Sequence, residues 1–83
     1  MKQVNLYDFE LKNDLKKFRQ AVGYSQTELA KLVGTTQITI SAIECGTYKS
    51  TSVLLAIKIA MALGYRVEDI FYIIPVDNYI GRY

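Results

Sequence analysis

Ser25-Gln26-Thr27-Glu28-Leu29-Ala30-Lys31-Leu32-Val33-Gly34-Thr35-Thr36-Gln37-Ile38-Thr39-Ile40-Ser41-Ala42-Ile43-Glu44 reads as two short amphipathic helices about a glycine-centred turn. The first opens on a Ser-x-x-Glu capping box, in which Ser25 accepts from the amide of Glu28 while the Glu28 carboxylate reaches back to the amide of Ser25. Leu29, Leu32 and Val33 then share an apolar face. Gly34 stands where a helix ends in a left-handed residue. Thr36 is placed to cap a second helix from about Gln37 to Cys45, which Gly46 closes. Two helices on one tight turn make a helix-turn-helix motif.

At about 100° per residue, Ile40 and Ile43 fix the buried direction of the second helix. Ile38 and Cys45 then point nearly opposite to it, Ser41 and Ala42 flank that outward line, and Gln37 lies at its N-terminal margin. Thr39 and Glu44 fall at the boundary with the core. The outward face is short and mostly uncharged. A helix laid in a DNA major groove needs this, because long or acidic side chains in mid-helix would hold it off the base edges. Gln pairs bidentately with adenine, and apolar groups touch a thymine methyl. Gln37, Ile38, Ser41 and Ala42 are therefore the candidate base contacts. An ordinary helical hairpin with a solvated face fits the same periodicity, so spacing alone leaves the two open.

From about Leu11 to Phe71 the chain resembles the Cro/cI-type (XRE-like) helix-turn-helix family of bacterial and phage regulators. The pieces that carry the likeness occur in order. They are Leu15-Lys16-Lys17-Phe18-Arg19, Gly23 to Ala30, Val33-Gly34, Thr39 to Glu44 with Gly46, Lys58-Ile59-Ala60 with Ala62-Leu63-Gly64, and Val67 to Phe71. The resemblance implies a lambda-repressor-like bundle of five helices that binds double-stranded DNA. It implies that Gln26, at the start of the first helix of the motif, anchors a phosphate together with the free N–H groups there. Thr36 and Thr39 are expected to offer hydroxyls to phosphate, as are Thr47 and Lys49 in the loop after the recognition helix. Arg19 and Glu44 occupy positions that pair helix one with the recognition helix, so their expected role is orientation. Two positions depart from the family pattern: Ile38 stands where many relatives carry a polar base-reading residue, and Cys45 where they carry Asn.

Composition narrows the classes. Eighty-three residues, 51% of them hydrophobic, make one small domain with enough apolar material for a core without disulfides. The expected layout is a helical body over about 11–71 with extensions over 1–10 and 72–83. The single Cys, and an opening without a leader pattern, point to the cytoplasm. The longest apolar stretch, Val53 to Leu63, is interrupted by Lys58 and too short for a bilayer, so no membrane role is expected. Without His, a Cys pair or a phosphate-cradling glycine loop, no enzyme, metal site or cofactor is expected. Ten basic against eight acidic residues leave a net charge of +2, a weak electrostatic signal for nucleic acid. Lys12 and Lys16 are read as solvating a face of the first helix.

Caps and breakers set the rest. A first helix is expected from Leu11 or Asn13 to Val22, where Leu11, Leu15, Phe18 and Val22 recur at helical spacing before Gly23. Ser52 caps a fourth helix that Gly64 ends, and a short fifth lies near Val67 to Phe71. The fold class is thus all-α, a compact five-helix bundle, with strand-like composition in both terminal segments. Ile70-Phe71-Tyr72-Ile73-Ile74 is a β-prone run ending at Pro75. It invites pairing with a second copy through Phe71, Ile73 and Ile74, aided by Val4, Leu6 and Phe9. The function expected is a sequence-specific transcriptional regulator, a repressor that binds a palindromic operator as a homodimer. The rival is a protein-interaction module, antitoxin-like or anti-regulator, built on the same body.

Overall fold

The computed structural model describes residues 9–47 and 51–75; Val4, Leu6 and Lys49 lie outside them. Five helices follow a first strand: β1 (Phe9–Asn13), α1 (Leu15–Val22), α2 (Gln26–Val33), α3 (Gln37–Glu44), α4 (Val53–Leu63) and α5 (Val67–Ile70), with β2 (Phe71–Pro75) last. β1 and β2 form an antiparallel two-stranded sheet in which Phe9 faces Pro75, Leu11 faces Ile73 and Asn13 faces Phe71.

The helix boundaries follow from local chemistry. Ser25 accepts from the Glu28 amide at 3.0 Å and the Glu28 carboxylate accepts from the Ser25 amide at 2.8 Å, closing the capping box. Thr36 and Ser52 each accept from the amide three residues on, which starts α3 and α4. Gly34 ends α2 at φ +76°, a conformation that side chains with a Cβ adopt only under strain, so the turn of the motif depends on glycine there.

The core gathers residues from all five helices and from β2. Leu15, Leu29, Ile40, Ile59 and Ile70 are fully enclosed, with Val33, Ile43, Ala60, Leu63 and Phe71 around them. Each enclosed Leu or Ile contributes roughly 1.5–3 kcal/mol by leaving water. Tyr65 stacks tilted on Phe18 with ring centroids 4.4 Å apart, covering the edge of α1.

Three expectations change. The first helix begins at Leu15, because Leu11 to Asn13, and Lys12 with them, belong to β1. Leu11 and Leu15 are four residues apart, an interval that keeps a side chain on one face of a helix and equally on one face of a strand. Leu32, expected on the buried face of α2, is 58% exposed, and Leu29, Ala30 and Val33 form that face instead. Phe71, expected to face a second copy, is only 7% exposed within the domain's own core. The β1–β2 ladder seats Phe71 against the end of α5 and leaves Tyr72 and Ile73 exposed. The terminal strands therefore pair within one chain.

Candidate nucleic-acid interface

α3 turns its second residue outward. Ile38 is 74% exposed, Gln37 and Cys45 are exposed, and Ser41, Ala42 and Thr39 are half-buried along the flanks. The four candidate base contacts thus lie on or beside one outward line. Around them, Thr36 keeps its hydroxyl within 3.0 Å of the Thr39 hydroxyl while capping the helix. Thr47 is exposed just past the end of α3, where its amide donates to the Ala42 carbonyl at 3.0 Å.

Behind this face the helix is held by an ion pair. The Arg19 Nε donates to Glu44 Oε2 at 2.6 Å and Nη2 to Oε1 at 3.1 Å, a two-pronged grip between α1 and the last turn of α3. The third prong, Nη1, donates to the Tyr24 carbonyl at 2.8 Å. The two side chains are only 8% and 3% exposed, so neither charge has water to fall back on. The bond to Glu44 raises the pKa of Arg19 above its ordinary value despite the opposing effect of burial, and the guanidinium stays charged at any pH the fold survives.

Gln26 does more than stand at the start of α2. Its Nε2 donates to Glu44 Oε1 at 2.9 Å, and its Oε1 accepts from Gln37 Nε2 at 2.6 Å. Side chains from three helices are thereby joined in series, from Arg19 through Glu44 and Gln26 to Gln37. This leaves one Gln26 N–H and the helix's own amides for a phosphate.

Asn13 is a residue that sequence reasoning missed. Its Oδ1 accepts from the Leu15 amide at 3.0 Å and starts α1, while Nδ2 donates to the Ile43 carbonyl at 2.9 Å in the last turn of α3. The local half of this role has a sequence signal, an Asn two residues before the first helical amide. The contact to Ile43 spans thirty positions and has none. No described buried side-chain N or O atom lacks a partner. Among the described residues, no group of three His, Cys, Asp or Glu is arranged to hold a metal, and no helix is long and apolar enough to cross a membrane.

The helix-turn-helix family model matches residues 15–70. The chain belongs to the helix-turn-helix family of transcriptional regulators. A Bacillus subtilis relative, the uncharacterized HTH-type transcriptional regulator YgzD, is 44% identical over 63 residues, covering 76% of this chain and 94% of its own length. Among solved structures, the biofilm master regulator SinR in complex with DNA superposes with a TM-score of 0.62 at 30% identity, over 65% of this chain and 86% of that one. A chain from a complex of SinR with the SinI protein matches with a TM-score of 0.62 at 30% identity, over 65% of this chain and 52% of that one. The Cro/cI-type resemblance in the sequence and the family match agree. These are families of DNA-binding regulators and not of enzymes.

Proposed function

We propose that this regulator binds duplex DNA with α3 in the major groove and acts in the cytoplasm as a repressor, a homodimer on a palindromic operator. The observation that carries the reading is the outward face of α3. Gln37 and Ile38 lead a helix whose outward face is uncharged and whose angle to α1 is fixed by the Arg19–Glu44 pair, and a helix that reads base edges must be both slim and rigidly aimed. Gln37, Ile38, Ser41 and Ala42 are assigned to base edges; Gln26, Thr36, Thr39, Thr47 and Lys49 to phosphates. Ile38 meets a thymine methyl in this arrangement. The SinR–DNA complex supports the placement, since that protein shares the fold.

Dimerisation is assigned to β2. In a two-stranded sheet its outer edge has no neighbouring strand among the described residues, Ile73 on it is 55% exposed, and Ile74 is half-buried. A second copy pairing there about a two-fold axis hides that edge, and a palindromic operator requires the pairing to set the two α3 helices about 34 Å apart, one helical turn of DNA.

The test is fluorescence anisotropy on duplexes enriched from a random pool, from low to moderate salt. Tight binding that weakens steeply with salt, on a palindromic consensus, is the expected result. If no duplex binds better than random DNA, the regulator works through a protein partner instead.

A further inference from the structure

We infer that the open groove between α2 and α4 is a docking site for an acidic amphipathic helix of a partner protein. α4 is apolar at every position but Lys58, yet the core encloses only Ala56, Ile59, Ala60 and Leu63. A helix apolar on all sides belongs inside something larger. Leu54, Lys58 and Met61, spaced by four and three, share a line on the uncovered side, where Leu54 is 65% and Met61 76% exposed. Leu32 of α2 stands beside Lys58 and Met61 across the groove. What α2 fails to bury and what α4 fails to bury therefore lie on one surface. A contiguous exposed apolar surface marks an interaction site, as scattered single residues do not. No residue of α3 lines it, so the site stands apart from the face assigned to DNA.

The shape of the surface suits a helix. Leu32 and Tyr24 border two hollows, one of about 370 Å³ toward Met61 and Ala62 and one of about 340 Å³ toward Glu28 and Lys31. Both open broadly to solvent, so neither encloses a small molecule as a ligand pocket does. Two adjoining hollows instead take successive apolar side chains from one face of a helix, those at i and i+4.

Charge selects the partner. Lys58 borders one hollow and Lys31 the other, and neither forms an ion pair among the described residues. The Lys58 ammonium is held at the end of α2, 3.8 Å from the point where a Cβ on Gly34 would stand. The one carboxylate bordering the hollows, Glu28, is turned to the Ser25 amide at 2.8 Å. A second copy seated here about a two-fold axis brings the same two lysines and no free carboxylate. A foreign helix with Glu or Asp beside its apolar row answers both charges.

The experiment selects from a displayed library of helical peptides about four turns long, with Leu fixed at i, i+4 and i+7 and the flanking positions drawn from Glu, Gln and Lys. The wild type enriches Glu at the flanks, and a synthetic peptide of the enriched sequence binds it at micromolar concentration in fluorescence anisotropy. Leu32→Ala and Met61→Ala each weaken that peptide about tenfold. Both side chains stand in solvent, so their truncation leaves the melting curve nearly unchanged. Combining Lys31→Glu with Lys58→Glu turns the enriched flanks from Glu to Lys, an exchange that lost stability does not produce. Lys31→Glu alone, at an exposed position, removes the preference for Glu around its own hollow and serves if the double variant fails to fold. A library that yields no binder, flanks without a preference for Glu, or a peptide whose binding survives both truncations overturns the inference. So does sedimentation equilibrium in which Leu32→Ala and Met61→Ala reduce self-association of the intact chain, since a second copy then covers the groove. The DNA reading fails separately: a chain that takes the acidic helix and no duplex loses that reading and keeps the groove.

Discussion

Along α3, the long polar side chains are tied down: Gln37 to Gln26, Glu44 to Gln26 and to Arg19. Along α4 and β2, Val53, Leu54, Met61 and Ile73 stand largely in solvent. The two regions expose opposite things. A surface that reads a ligand atom by atom needs its donors and acceptors fixed before the ligand arrives, since each loose rotamer must be ordered on binding. A surface that meets another copy needs apolar area, and its side chains settle when the area is covered. On the proposed reading, the polar region serves specificity and the exposed edge of β2 serves assembly.

The sharpest way to break the polar side is Glu44→Ala, which leaves the Arg19 guanidinium enclosed without its partner. A loss of about 3 kcal/mol is expected in thermal or denaturant unfolding. Replacing both residues by Met and Leu should lose much less, because no stranded charge remains. Equal losses in the single and double variants would mean that the cost lies in the lost hydrogen bonds and not in a stranded charge.

On the apolar side, Ile73→Lys should weaken self-association more than tenfold in sedimentation equilibrium, since about 2 kcal/mol of side-chain burial is forfeited per subunit. Its unfolding free energy as a monomer should stay within about 0.5 kcal/mol. An intact chain that is already monomeric at tens of micromolar would instead free β2 for another partner.

Asn13→Ala should lower stability by about 1–2 kcal/mol through two lost hydrogen bonds. It should also speed hydrogen exchange in the last turn of α3, where Ile43 loses its tie to β1. Unchanged exchange there would show that Arg19 alone fixes the helix end.

The smallest effect concerns pH. Bonds from the Ser25 amide and hydroxyl hold the Glu28 carboxyl below its ordinary pKa. A depressed carboxylate stabilises the fold above its unfolded-state pKa, and that contribution disappears as pH falls through the depressed folded value. The melting temperature of the wild type should therefore decline more steeply on acidification than that of Glu28→Gln, which keeps the box without the titration. Parallel curves would show that the box adds no acid sensitivity.

Much of this was legible in the sequence because it is local. Ser25, Glu28, Thr36, Ser52 and the glycines at 23, 34 and 64 act within four residues of themselves, so α2, α3 and α4 could be bounded by inspection. The start of α1 could not, since the Leu11 to Leu15 interval fits strand and helix alike. The Arg19–Glu44 contact was reachable only through family resemblance. The bonds from Gln26 to Glu44 and Gln37 depend on how α2 lies across α3, a matter of packing that no spacing encodes. Phe71 was misplaced for a related reason: an apolar β-prone run announces burial but does not say in whose core.

The register of the small sheet also decides how the molecule answers to mechanical load. Phe9 and Pro75 face each other at one end of the described ladder, and Asn13 and Phe71 at the other. Tension applied at Phe9 and Pro75 therefore falls on a single rung at a time and peels β1 from β2 toward Asn13 and Phe71, as a zipper opens. The α1–α4 bundle feels the pull only after the last rung has parted, with the Asp14 amide still held by the Ile70 carbonyl at 2.8 Å as its final latch.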